Sequence, residues 1–139
     1  MTVRKAKLVQ MAGMKFEGTM DDGARTVIHT PGQGQTKEAP SPFEHVVLGL
    51  AGCTASDVVA VLEKKRQPLN RLEIDVEYDR ADDNPRVLTR ALLRFVAHGP
   101  VEEAALRRAI ELSQEKYCSV SAMLRKSGAA ITWDYRIEP

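Results

Sequence analysis

Two cysteines, Cys53 and Cys118, are the residues of this 139-residue chain best suited to covalent chemistry. The reactive form is the thiolate, so local charge decides whether either sulfur is a nucleophile. Cys53 falls inside an apolar run that follows Ser41-Pro42-Phe43-Glu44. Cys118 falls in Tyr117-Cys118-Ser119-Val120, where one helix ends and another begins. A pair so placed is either a redox couple or two buried fillers, because free cysteine also packs as a small hydrophobe.

The two settings differ. If Cys118 or Ser119 opens the second helix, the Cys118 thiol lies among free backbone N–H groups, which favour a thiolate, and Lys116 acts in the same direction. Cys53 lies in mid-helix, where the macrodipole offers little. One turn later stands Asp57, whose negative charge disfavours a thiolate. A reactive Cys53 therefore needs a cation from elsewhere, and Arg25, Lys37 and Arg66 are the candidates. Gly49 and Gly52 beside it admit a close approach by another backbone or a substrate. The three histidines, His29, His45 and His98, are scattered, and no zinc-type spacing occurs, so no metal site is expected.

The elements that position these residues read as follows. Three short strands are expected at about 3–10, 14–20 and 25–30, with turns at Gly13 and Asp21-Asp22-Gly23. A Gly- and Pro-rich loop, 31–40, leads to Ser41, an N-cap that pairs with Glu44 in a capping box, with Pro42 at the first helical position. That helix runs to about Lys65, where Pro68 limits it. About 24 residues make a rod of roughly 36 Å. Its middle, 45–56, is apolar or small nearly all round, which calls for burial on most sides and points to a dimer sharing a core. Leu72, Ile74, Val76 and Tyr78 alternate with charges in one strand, and a second follows at about 87–97. Pro100 as N1 opens a helix to about Lys116. A short helix, 119–126, ends at Ser127-Gly128. In the last strand Ile131, Trp133, Tyr135 and Ile137 share a face. The fold class is α+β, with helices packed on antiparallel sheet, in a single domain over residues 1–139.

Composition narrows the function. Net charge is +1 and aromatic residues are 5%, so no nucleic-acid partner is expected. The N-terminus has no apolar run behind its charges, and no stretch reaches the ~20 apolar residues of a membrane span. A cytoplasmic, reducing compartment is the expectation, where free or catalytic thiols outnumber structural disulfides.

Ser41-Pro42-Phe43-Glu44, with Leu48-Gly49-Leu50-Ala51-Gly52-Cys53-Thr54-Ala55 and Asp57-Val58-Val59, resembles the first cysteine motif of the OsmC/Ohr family. Glu115-Lys116-Tyr117-Cys118-Ser119-Val120 resembles the second. The resemblance covers essentially the whole chain and is nearest to the OsmC-like branch of less defined function. It implies an intertwined homodimer with two central helices wrapped by sheets from both chains. It also implies a thiol peroxidase for organic hydroperoxides, with Cys53 as attacking thiolate and Cys118 as resolving thiol. A dithiol reductant would restore the pair, with no cofactor and no metal.

One departure stands out. The family's best-studied enzymes place an acid directly after the helix-opening proline, to hold an arginine over the reactive thiol. Here that position is Phe43, and the acid is Glu44. At 100° per residue Glu44 lies about 180° from Cys53 around the helix, and Phe43 about 80°. Glu44 thus acts across a dimer interface or simply caps the helix. Arg25 is the nearest match to the family's arginine. Phe43, Val47 and Leu50 would line an apolar approach to Cys53. Two other functions remain open: a non-catalytic dimer binding an apolar small molecule, and a thiol redox sensor.

Overall fold

The computed structural model describes residues 2–139, which divide into two compact units, residues 2–48 and 49–139, with the boundary inside the first helix.

In the first unit β1 (Ala6–Ala12), β2 (Lys15–Met20) and β3 (Arg25–His29) form an antiparallel meander. Gly13 takes φ 57°, a left-handed value that suits glycine, in the tight β1–β2 turn. β1 begins later than its residue types suggest. Arg4 instead pairs with the Asp21 carboxylate, and the Lys5 amide donates to the same group at 3.0 Å. The loop after β3 is tied to the buried His29, whose Nδ1 accepts from the Glu38 amide at 3.0 Å.

Helix α1 (Pro42–Lys64) then starts as its sequence dictates. The Ser41 amide donates to Glu44 Oε1 at 2.8 Å, and the Glu44 amide donates to Ser41 Oγ at 3.2 Å. This is the reciprocal capping box. His45 fastens the first turn to β3: its ring contacts Ser41 O through Nδ1 at 2.9 Å and Thr26 Oγ1 through Nε2 at 3.1 Å. A carbonyl can only accept, so the neutral ring carries its proton on Nδ1 and receives the threonine hydroxyl on Nε2. The helix ends in a Schellman motif, with Gln67 N donating to Leu62 O and Arg66 N to Glu63 O, both at 2.9 Å.

Composition of α1 corrects one expectation. An 18-residue window of this helix has a mean hydropathy of 1.7, so its length and composition suffice for a membrane span. The glycines, alanines, Cys53 and Thr54 are small and near-neutral, which hides the run from a search for large apolar residues. Core helices of globular proteins reach the same hydropathy.

The second unit holds a three-stranded sheet in the order β4 (Arg71–Arg80), β5 (Leu88–His98), β6 (Ala130–Glu138). β4 and β5 are antiparallel, but β5 and β6 are parallel, which corrects the wholly antiparallel expectation. The physical reason is the crossover. Residues 99–129 carry the chain back over the sheet, and such a connection returns a strand in the same direction. Register places Ile74, Phe95 and Tyr135 side by side, as it does Val76, Leu93 and Trp133. That face is apolar, and Phe95 and Leu93 on it are almost wholly enclosed.

Within the crossover, α2 (Glu103–Leu112) buries Ala105, Leu106, Ala109 and Ile110. Its N-cap is Glu102, so Pro100 lies ahead of the helix rather than at its first position. Glu103 and Arg107 both reach the Tyr135 hydroxyl, which donates to the former and accepts from the latter. The α-helix does not run to Lys116. It passes at Ser113 into a single π-helical turn, Ser113–Tyr117, closed by Cys118 N donating to Ser113 O at 2.7 Å. Helix α3 (Ser119–Lys126) follows, capped at its end by Ser127 and by Gly128 at φ 104°.

Candidate functional site

Cys118 is the N-cap residue of α3. Its backbone is extended (φ −75°, ψ 102°), and its sulfur accepts from the Ser121 amide at 3.3 Å, in the place an N-cap oxygen usually takes. The π turn makes this possible. One extra residue in the turn swings Cys118 out of the helical path and frees the next amides to face its sulfur.

A buried polar network surrounds that sulfur. Thr54, on α1, has its hydroxyl 3.5 Å from Cys118 Sγ. The same hydroxyl donates to Leu50 O at 2.9 Å and accepts from Gln114 Nε2 at 3.2 Å. Gln114 Oε1 accepts from Ser121 Oγ and from Arg125, each at 3.0 Å. With its proton on Leu50 O, Thr54 meets a neutral Cys118 as an acceptor. When the thiol ionises, the hydroxyl must turn and donate to sulfur. Every buried side-chain nitrogen and oxygen among the described residues has a partner, as buried polar groups require.

These contacts set the ionisation of Cys118. Burial pushes the thiol up, yet donation from the Ser121 hydroxyl and amide, from Thr54 and from Cys53 outweighs it. The net direction is below the ordinary thiol value. Gln114 Oε1 competes for the single Ser121 hydroxyl proton, so the amide is the donor with the fixed claim.

Cys53 is half-buried, one helical residue before Thr54, while Cys118 is only 3% exposed. The sulfurs of Cys53 and Cys118 and a carboxylate oxygen of Asp57 all lie within 4.8 Å of one another. Asp57 Oδ2 accepts from the buried Ser113 hydroxyl at 2.9 Å. The two cysteines, 65 positions apart by their numbers, are therefore neighbours in space.

The other expected site residues fall elsewhere. Glu44 is committed to the capping box and to an ion pair with Lys37. Lys37 in turn is occupied by Glu44. Arg66 sits beyond the C-terminus of α1, 13 residues past Cys53, about 20 Å along the axis and out of reach. Arg25 opens β3, exposed, on the rim of an apolar groove of about 480 Å³ with Leu8, Met20 and Ile28. Phe43 is half-buried and Val47 buried, while Leu50 is wholly enclosed and offers a substrate no free surface in this chain.

The sequence reading gave no site role to Thr54, Ser113, Gln114, Ser121 or Arg125. Ser113 and Gln114 carried a signal. They continue the buried stripe of Leu106, Ala109 and Ile110 at helical spacing, and a polar residue in such a stripe needs a buried partner.

The sequence model of the OsmC-like protein family matches residues 32–134. Protein YhfA of Escherichia coli K12 is 37% identical over 134 residues, covering 96% of this chain and 97% of its own length. The crystal structure of a hypothetical protein from Aquifex aeolicus VF5 is 30% identical, covers all of both chains and superposes with a TM-score of 0.83. The organic hydroperoxide resistance protein OhrB of Bacillus subtilis is 17% identical, with a TM-score of 0.66 over 97% of this chain and 98% of that one, a likeness of fold. With two cysteine motifs in place, a matching family model over most of its length and a relative alike from end to end, the chain belongs to the OsmC-like protein family.

Proposed function

We propose that this chain is a cytoplasmic, homodimeric thiol peroxidase that reduces organic hydroperoxides through Cys53 and Cys118. The observation that carries the reading is the pairing of a half-buried sulfur with a buried one inside 4.8 Å, on separate helices. The Cys53 thiolate attacks a peroxide oxygen and the O–O bond breaks. Cys53 becomes a sulfenic acid, and the alkoxide takes a proton and leaves as an alcohol. The Cys118 thiolate then attacks the Cys53 sulfur and expels hydroxide, which leaves as water. A dithiol reductant supplies two electrons and two protons to reopen the disulfide. The lowered ionisation of Cys118 suits the second step, because the resolving group must also attack as a thiolate. The name of the fold relative OhrB, an organic hydroperoxide resistance protein, agrees with this chemistry.

Dimerisation is part of the proposal. Gly49, Gly52, Ser56 and Ala60 lie on an exposed stripe of α1, and a Cβ at either glycine would meet nothing within 4 Å. Beside them Val46 and Leu48 are 40% and 57% exposed. A second α1 laid on this stripe would bury an otherwise wet apolar helix. Light scattering should give twice the chain mass, and Gly52→Leu should give the single-chain mass.

One equivalent of cumene hydroperoxide added to the reduced protein tests the chemistry. Intact mass should fall by two hydrogens in the wild type and in neither Cys53→Ser nor Cys118→Ser. Thiols that stay reduced in excess peroxide would remove the peroxidase reading. Equal rates with hydrogen peroxide and the bulky peroxide would remove its preference for organic substrates.

A further inference from the structure

Cys53 and Asp57 stand one turn apart on α1, and Cys118 meets them from the start of α3. The redox cycle uses both sulfurs and leaves the carboxylate without a task. Asp57 is half-buried, takes one hydrogen bond from Ser113, and joins no salt bridge among the described residues. Two thiols, which become negative on ionising, lie within 4.8 Å of its carboxylate. A partly buried set of three such groups is costly unless protons or a cation neutralise it.

We propose that in the reduced protein Cys53, Asp57 and Cys118 form a three-ligand site for a thiophilic divalent cation such as Zn2+. Tetrahedral zinc, with Zn–S near 2.3 Å and Zn–O near 2.0 Å, sets its ligand atoms about 3.5–3.8 Å apart. The three atoms already lie within 4.8 Å of one another, so the closure needed is about 1.3 Å at most. The i, i+4 spacing of Cys53 and Asp57 puts two ligands on one helix face, as in other helix-borne zinc sites. Ser113 donates to Asp57 Oδ2 at 2.9 Å, an outer-shell hydrogen bond of the kind that orients a ligating carboxylate. The Ser121 amide, 3.3 Å from Cys118 Sγ, supports that sulfur as a thiolate ligand. Water takes the fourth position, from the half-exposed side of Cys53. The Arg125 guanidinium donates to Gln114 Oε1 at 3.0 Å and forms no ion pair with Asp57 among the described residues.

The ion takes both sulfurs as thiolates and leaves the site with one net negative charge. A Cys53–Cys118 disulfide removes both thiolate ligands, so the oxidised protein cannot hold the ion. Metal occupancy and peroxide attack thus exclude each other at one pair of sulfurs.

The test titrates the reduced full-length protein with Cd2+, read by the ultraviolet thiolate-to-cadmium band, and with Zn2+ against a chromophoric chelator. One ion per chain is expected. Cys53→Ser and Cys118→Ser should lose the site. Asp57→Asn should weaken it by about 100-fold, and Ser113→Ala by about 10-fold. Absence of saturable one-to-one binding, unchanged affinity in Asp57→Asn, or undiminished affinity in the disulfide form would overturn the proposal. The stoichiometry and the oxidised control need no variant to fold. None of these readouts uses peroxide turnover, so the site and the peroxidase reading can fail separately.

Discussion

The Thr54 hydroxyl lies 3.5 Å from the Cys118 sulfur and accepts the Gln114 amide at 3.2 Å, so one side chain links the Cys118 thiol to the buried network around it. Thr54 sits next to Cys53 on α1, and any change at Cys118 is felt one residue from the proposed attacking sulfur.

Thr54→Val keeps the shape and removes the hydroxyl. Donation from Thr54 helps lower the ionisation of Cys118, so the pH profile of Cys118 alkylation, followed in a Cys53→Ser background, should move upward. The Gln114 amide loses its acceptor in the same step, which costs about 1–3 kcal/mol. A denaturation midpoint that drops while the alkylation profile stays in place would separate the packing role from the electrostatic one and refute the latter.

Local signals carried much of this architecture. The capping box at Ser41 and Glu44 is legible because both partners are three residues apart. Cys118 as a helix-opening residue is legible because Ser119 and Gly128 bracket a short helix. Alternation along Ile131, Trp133, Tyr135 and Ile137 marks β6, but nothing in that strand says whether its neighbour runs parallel. The π turn has no local pattern either, since Ser113 and Gln114 fit a continuing α-helix equally well. Likewise the meeting of Thr54, Gln114 and Ser121 depends on how α1 packs against the crossover. Asp57 was visible as a charge beside Cys53, but its Ser113 partner lies on a distant element.

Acid should test the helix cap. Lys37 first, then the Ser41 amide, hold the Glu44 carboxyl down to about 2, from an ordinary 4.5. A folded value below the unfolded one gives stability that is complete above 4.5 and is lost as pH falls toward 2. Thermal midpoints of Glu44→Gln should therefore fall less steeply than wild type between these limits and differ most near neutral pH. Parallel curves would show that the Glu44 charge contributes nothing to the cap. Asp21, held by Arg4 and also at about 2, keeps the remaining slope in both proteins.

Gly99 joins β5 to the crossover at φ 124°, and a Cβ there would stand 2.4 Å from the Pro68 carbonyl oxygen. Gly99→Ala meets both a left-handed backbone and a backbone clash. Its cost should be at least about 2 kcal/mol in urea unfolding. A loss below about 0.5 kcal/mol would mean that the Pro68 segment yields freely.

Arg66 offers the opposite case. It occupies the left-handed position of the Schellman motif at φ 55°, where a side chain costs about 1–2 kcal/mol. Glycine removes that strain and restores about 0.5–1 kcal/mol of chain entropy to the unfolded state. Arg66→Gly should therefore be neutral to about 1 kcal/mol more stable. Because Arg66 lies about 20 Å along α1 from Cys53, the rate of disulfide formation with cumene hydroperoxide should not change. A slower rate in a well-folded Arg66→Gly protein would mean that this arginine reaches Cys53 from another copy of the chain. It would also restore Arg66 as the cation that activates the thiol.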